Sequence, residues 1–118
     1  MAPTDRAIVV VEDEELLLDV LADVLDSMGH KGTYVRTCAE ARQITALDVA
    51  FLDHSLPDGY GSDLLPEFRM RFPQARLILM SGHPLSSFPQ EVRDQVDGVL
   101  IKPFTVDEFE EILNRNLL

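Results

Sequence analysis

Cysteine occurs once, at Cys38, and tryptophan not at all in the 118 residues of this chain. A lone thiol excludes an internal disulfide and any thiolate–metal cluster, and a small, partly buried packing role is the expectation for Cys38. Basic residues are scarce as well: 10 Lys and Arg stand against 21 Asp and Glu, for a formal charge of −11. Phosphate-backbone recognition needs a basic footprint, so no direct nucleic-acid binding is expected. Metal ions and basic protein surfaces suit such a chain better. No stretch reaches the ~20 apolar residues of a membrane span. The opening residues Met1–Arg6 lack the basic flank and long apolar region of a secretory signal. These absences predict no membrane insertion and a cytoplasmic location. Repeats, low-complexity tracts and linkers are missing too, and the length suits one compact domain, residues 1–118.

What is present is a set of four short apolar runs, each ending on a polar, reactive residue. They are Val9-Val10-Val11-Glu12-Asp13, Val49-Ala50-Phe51-Leu52-Asp53, Leu77-Ile78-Leu79-Met80-Ser81 and Val99-Leu100-Ile101-Lys102-Pro103. Short continuous apolar runs read as strands buried on both faces. Helical patterns separate them, which predicts parallel strands joined by crossovers. All four polar ends then fall on the carboxyl edge of one sheet, where open α/β sheets bind their ligands.

The helices announce themselves by spacing and caps. Leu17, Val20, Leu21, Val24 and Met28 recur at helical intervals, with Gly29 placed for a left-handed cap. Lys31–Arg36 reads as a weaker peripheral strand. Thr37 and Glu40 form a capping-box pattern opening a short helix to about Ala46, and Thr105 and Glu108 form a second. Phe104 and Phe109 sit where a hydrophobic staple packs, and Ile112 and Leu113 continue that apolar face. A third helix is expected over roughly Ser62–Phe72, presenting Leu64, Leu65 and Phe68, where Pro66 must lie in the first turn or disturb the helix; it follows the turn Pro57-Asp58-Gly59. Pro84 and Pro89 confine the fourth helix to a short piece beginning near Pro89. The reading is five strands and five helices in strict alternation. Leu85 and Phe88, apolar in a polar segment, either face a partner or pack beneath their loop.

The chemistry at the shared edge follows from the residue types. Glu12, Asp13 and Asp53 would place three carboxylates together, so either one pKa rises or a cation sits among them. Oxygen ligands without thiolate or clustered imidazole favour Mg²⁺ or Mn²⁺. A strand-end carboxylate such as Asp53 can attack phosphorus and form an aspartyl phosphate. The transferred group carries charge on three equatorial oxygens. A cation, the Lys102 ammonium and the Ser81 hydroxyl with nearby N–H groups supply three neutralising contacts. Each feature alone is an ordinary cap, turn or junction; their coincidence at successive strand ends is the specific signal.

In "VVVEDEE", "VAFLDHSLPDGYG", "LILMSGH" and "VLIKPF", taken in this order, the chain resembles the receiver domain of two-component response regulators from Ile8 to about Asn114. The resemblance implies an α/β, flavodoxin-like, doubly wound five-stranded parallel sheet of order 2-1-3-4-5 with five helices. It implies Asp53 as phosphoacceptor, Asp13 as a direct Mg²⁺ ligand, Glu12 as a ligand through water, and the Ser55 backbone carbonyl as a third protein ligand. It casts Ser81 as the switching hydroxyl and Lys102 as the lysine that pairs with Asp53 and then with the phosphoryl group. Pro103 matches a position that commonly follows a cis peptide. The implied donor is a sensor histidine kinase or histidine phosphotransfer protein, with an unidentified downstream protein as recipient of the signal. Such a domain helps catalyse its own phosphorylation and dephosphorylation but is not an enzyme acting on an external metabolite.

The chain departs from the family pattern at Val99, which stands where an aromatic that swings inward is usual. The second and fourth helices also look short. Ser55 and His83 occupy the two positions that tune phosphoryl lifetime, and their polarity predicts a short-lived phosphoryl group. Two other functions stay open at this stage. A degenerate receiver would act only as a protein-interaction module. A small aspartyl-phosphate hydrolase would use Asp53 on phosphate esters, although Ser55 stands where its general acid belongs and no cap segment is inserted.

Overall fold

The computed structural model describes residues 6–117. Met1–Asp5, most of the segment read above for a secretory signal, and Leu118 lie outside the described residues. Five parallel strands, β1 (Ile8–Val11), β2 (Gly32–Val35), β3 (Val49–Asp53), β4 (Arg76–Ser81) and β5 (Gly98–Ile101), form one sheet in the order 2-1-3-4-5. Between and after them run α1 (Glu15–Ser27), α2 (Cys38–Ala41), α3 (Leu64–Arg71), α4 (Gln90–Arg93) and α5 (Val106–Asn116). This is the flavodoxin-like architecture expected from the apolar runs and the resemblance.

Strand alternation divides the core into two layers. Ile8, Val10, Val49, Phe51, Ile78, Met80 and Leu100 face α1 and α5, meeting Leu21, Leu25, Phe109, Ile112 and Leu113. Val9, Val11, Ala50, Leu52, Leu77 and Leu79 face the other side, against Ala41, Leu64, Leu65, Phe68 and Phe88. Phe51 and Phe109 meet with ring centroids 4.6 Å apart, and both are fully buried. Burying one such side chain stabilises the fold by about 1.5–3 kcal/mol.

The caps are informative in their differences. Thr105 and Glu108 complete both halves of a capping box at α5, and the Phe104 and Phe109 rings stack at 6.4 Å as a staple. At α2 the Thr37 hydroxyl accepts from the Glu40 N–H at 3.0 Å, but the Glu40 carboxylate accepts from the Arg36 N–H at 2.7 Å instead of closing the box. Gly29 takes φ +83° after α1, and the His30 N–H reaches back to the Leu25 carbonyl at 2.9 Å. Only a residue tolerant of the left-handed region ends the helix there.

Four expectations are corrected. A two-residue hairpin, Ser55–Leu56 with Gly59–Tyr60, interrupts the strict alternation between β3 and α3. The second helix stops at Ala41, short of Ala46, because Leu47 turns into the core and Asp48 is tied to Ala7 through both its N–H and its carboxylate. The third helix opens with a tighter 3₁₀ turn over Gly61–Asp63, and α-helix begins at Leu64 with Pro66 in its first turn. Val20 is exposed, since the buried stripe of α1 is centred on Leu21 and Leu25, and Val20 lies a full 100° step away from Leu21. The fourth helix is a single turn capped at Pro89, as its prolines predict. Phe88 packs beneath its loop, with 9% of its surface exposed.

Candidate functional site

Register converts the four strand ends into one place. Val11 pairs with Leu52, Asp53 with Met80 and Ser81 with Ile101. Continuing each strand by one residue sets Glu12 beside Asp53, and Lys102 past the end of β4. Glu12, Asp53 and Lys102 share the parity of Val10, Phe51 and Leu100, the layer facing α1 and α5. Ser81 shares the parity of Leu79, the opposite layer. Three charged groups therefore converge from one side of the sheet and the hydroxyl arrives from the other.

A cleft of about 440 Å³ is lined by Glu12, Asp13, Glu14, Asp53, His54, Ser55, Ser81, Gly82, His83 and Lys102. The Lys102 ammonium donates to Glu12 Oε1 at 2.7 Å and to Asp53 Oδ1 at 3.2 Å. Glu12 is fully buried, and its second oxygen accepts from the Glu14 N–H at 2.9 Å. Asp53 Oδ1 also receives the Ser55 N–H at 3.4 Å. Ser81 is buried, and its hydroxyl accepts from the His83 N–H at 2.9 Å. The Ser55 and His83 side chains are at the exposed rim. The Lys102–Pro103 peptide bond is cis.

Carboxylate oxygens from Glu12, Asp13 and Asp53 all lie within 4.8 Å of one another. Burial first, and then the neighbouring Glu12 charge, push the Asp53 carboxyl up to about 6, against the opposite pull of Lys102. Burial pulls the Lys102 ammonium down, but bonds to Glu12 and Asp53 outweigh it and leave its pKa above the ordinary lysine value. Like charges are crowded here, and a hard cation bound by oxygen donors would relieve the crowding. The donor set thus fits a divalent ion such as Mg²⁺.

Two expected residues stand apart from the cleft lining. Val99 is opposite Leu79 in β5, partly buried against the layer that holds Phe88, Val92 and Val96. Pro103 is exposed at the turn after β5.

The family model for the response regulator receiver domain matches residues 8–114. The chain belongs to the response regulator receiver domain family. Among curated relatives, the transcriptional regulatory protein CitT of Bacillus subtilis is 33% identical over 82 residues, 64% of this chain and 36% of CitT. The photosynthetic apparatus regulatory protein RegA of Cereibacter sphaeroides is 26% identical over 113 residues, 92% of this chain and 61% of RegA. The receiver domain thus spans between about a third and three fifths of the length of these relatives. A solved receiver domain protein (CheY-like) from Methanospirillum hungatei JF-1 superposes with a TM-score of 0.83 at 22% identity, covering 97% of this chain and 94% of the other. That likeness is one of fold.

Three participants in this receiver domain escaped the sequence reading. Gly61 is buried, and a Cβ built there would collide with the Asp53 carbonyl; its N–H donates to the His54 carbonyl at 2.8 Å. The glycine therefore lets the chain after the hairpin press against the end of β3. Arg36 extends from the end of β2 and donates to the Asp13 carbonyl at 3.0 Å, tying down the loop that carries the acids. His54, directly after Asp53, packs its ring against those of Tyr60 and Phe88. Gly61 had a faint signal in the glycine-rich turn; the other two depend on contacts with no sequence signature. Among the described residues, no helix is long and apolar enough to cross a membrane.

Proposed function

We infer that residues 1–118 form a single receiver domain that accepts a phosphoryl group on Asp53 from the phosphohistidine of a sensor kinase or phosphotransfer protein. The observation that carries this reading is the meeting of a buried strand-end carboxylate, two further acids and one ammonium in a single cleft. Lys102 and the Ser55 N–H both address Oδ1 of Asp53, while Oδ2 has no hydrogen-bond donor among the described residues. The free oxygen attacks phosphorus, the O–P bond forms, and the N–P bond of the donor breaks with its electron pair returning to the imidazole. Lys102 neutralises charge on the arriving oxygens, and Ser81 turns its hydroxyl proton toward another. Asp13, Asp53 and the Ser55 carbonyl would hold Mg²⁺ (or Mn²⁺), with Glu12 assisting through water, and the ion would neutralise phosphoryl charge. Glu12 has a second task, holding the Lys102 ammonium in place.

The module works on itself and on its donor, in the cytoplasm, and hands its changed surface to a downstream protein. Incubation with Mg²⁺ and a small acyl phosphate, read by intact mass, tests the reading. A labile phosphoryl adduct that disappears in D53N is the expected outcome. Sustained release of phosphate from a simple ester would make the chain a hydrolase, and no adduct under any donor would leave a protein-interaction module.

A further inference from the structure

We propose that His54 and Phe88 form the contact that carries occupancy at Asp53 into the α4 side of the sheet, a task that Val99 is too small and stiff to perform. The proposal rests on the phosphoacceptor reading and adds the route by which the signal leaves the site.

Position 99 presents an isopropyl group, partly buried against the layer under α4. A β-branched side chain keeps a narrow range of χ1 and has no long arm to swing between a buried and an exposed state. An aromatic ring does lie against this layer, but it comes from a different segment. Phe88 is buried although Gly82, His83, Pro84, Ser86, Ser87 and Pro89 around it are exposed. Its ring meets that of His54 in a T-shaped arrangement at 4.8 Å and 84°, and His54 also stacks on the Tyr60 ring at 5.1 Å and 22°.

The backbone of His54 is held on both sides. Its N–H donates to the Met80 carbonyl at 2.9 Å, and its carbonyl accepts from Gly61 at 2.8 Å. Any change at Asp53, the preceding residue, is therefore passed along a pinned backbone to an imidazole that Phe88 touches directly. The segment between β4 and α4 is tied at two points. At its start the His83 N–H bonds the Ser81 hydroxyl; at its end Phe88 contacts His54. Both ties lead back to the cleft. When Ser81 reorients toward a bound phosphoryl group, the first tie moves, and Phe88 must either follow or break from His54.

The resting arrangement also leaves a group unsatisfied. The His54 Nδ1 is buried without a hydrogen-bond partner among the described residues. A buried ring nitrogen of this kind carries a desolvation cost that a shift of its neighbours can relieve. A rearrangement that gave Nδ1 a partner would offset that cost.

The test is an amide chemical-shift comparison with and without Mg²⁺ and beryllofluoride, a phosphoryl mimic, in wild type, F88A, F88Y and H54L. In the wild type, shifts are expected at residues 53–55 and 81–83 and again at 90–96. In F88A the first two groups persist with similar beryllofluoride affinity, while those at 90–96 fall to about half or less; F88Y restores them. H54L changes a residue of the cleft lining, so it is read only as the ratio of its shifts at 90–96 to its own shifts at 53–55. That ratio falls as in F88A, and H54L serves should F88A fail to fold. Full-sized shifts at 90–96 in both F88A and H54L overturn the proposal. So does a wild type whose response stops at residue 83. A wild type with no response even at 53–55 sinks the phosphoacceptor reading itself, a result distinct from the other two.

Discussion

At the amino edge of the sheet, the Asp97 carboxylate receives Arg69 at 3.0 Å, Arg76 at 3.3 Å and the Leu77 N–H at 2.8 Å. Arg69 in turn donates to the carbonyls of Pro73, Ala75 and Gln95, so one guanidinium ties the end of α3, the start of β4 and the approach to β5. At the carboxyl edge three carboxylates face one ammonium, Lys102. Both edges use ion pairs between residues far apart in sequence. The first satisfies its carboxylate from three sides and acts as a clasp. The second keeps an excess of negative charge, a state that costs stability and leaves room for a cation and a phosphoryl group.

The strongest way to break this contrast is to remove the one ammonium. K102A should slow phosphoryl uptake from a small acyl phosphate by about a hundredfold, the scale of losing one preorganised cationic contact; intact-mass time courses read it directly. Removing divalent ions with a chelator should stop uptake in the wild type. D13N should weaken Mg²⁺ binding at least about tenfold, measured by titration of a site amide. The amino-edge variant D97A should leave both quantities unchanged.

Stability separates the edges further. G61A forces a methyl group into the Asp53 backbone and should lower unfolding free energy by about 2–3 kcal/mol in chemical denaturation. D97A should lower it by about 1–2 kcal/mol, losing two partly exposed pairs and the bond from Leu77. D53N should do the reverse. The Asp53 carboxyl, ordinarily at 3.8, is raised to about 6 in the folded chain, so between those values the native state holds a proton that the unfolded state has lost. Stability contributed by that proton is full below the lower value and gone once pH has risen through the upper one. Without divalent ions at pH above 6, D53N should therefore be more stable than wild type by about 1–2 kcal/mol, allowing for partial solvent access. The difference should shrink as pH falls through the window toward 4. Destabilisation by D53N at pH 7 would erase the contrast between the edges.

The smallest expected effect lies at the rim. Replacing Ser55 and His83 together with valine and leucine should slow loss of the phosphoryl group about two- to fivefold, since both side chains stand at the cleft mouth where an attacking water arrives. Radiolabel decay would measure it.

The sheet and its order were legible because strand burial on both faces writes itself as continuous apolar runs, and the site was legible because those runs end together. Caps were readable where the partner is three residues away, as at Thr105. At Thr37 half of the box formed, the hydroxyl capping the Glu40 N–H, while the Glu40 carboxylate finds the Arg36 N–H instead. Val20 and the extent of α2 needed the tertiary positions of α1 and Leu47. His54 drew no reading from the sequence, because nothing local shows that Tyr60 and Phe88 will pack against its ring. Gly61 shows the same limit: its close approach to Asp53 is made only when the hairpin folds back.

Lys102 directly follows the last strand and Glu12 the first, ninety positions apart in the chain. A polypeptide emerging from the ribosome has Asp53 long before it has the ammonium that completes the pocket. On the phosphoacceptor reading proposed above, a chain whose β5 has not yet docked against β4 should take up a phosphoryl group poorly. Uptake would then report finished folding, since the pocket closes only when the last strand joins the sheet.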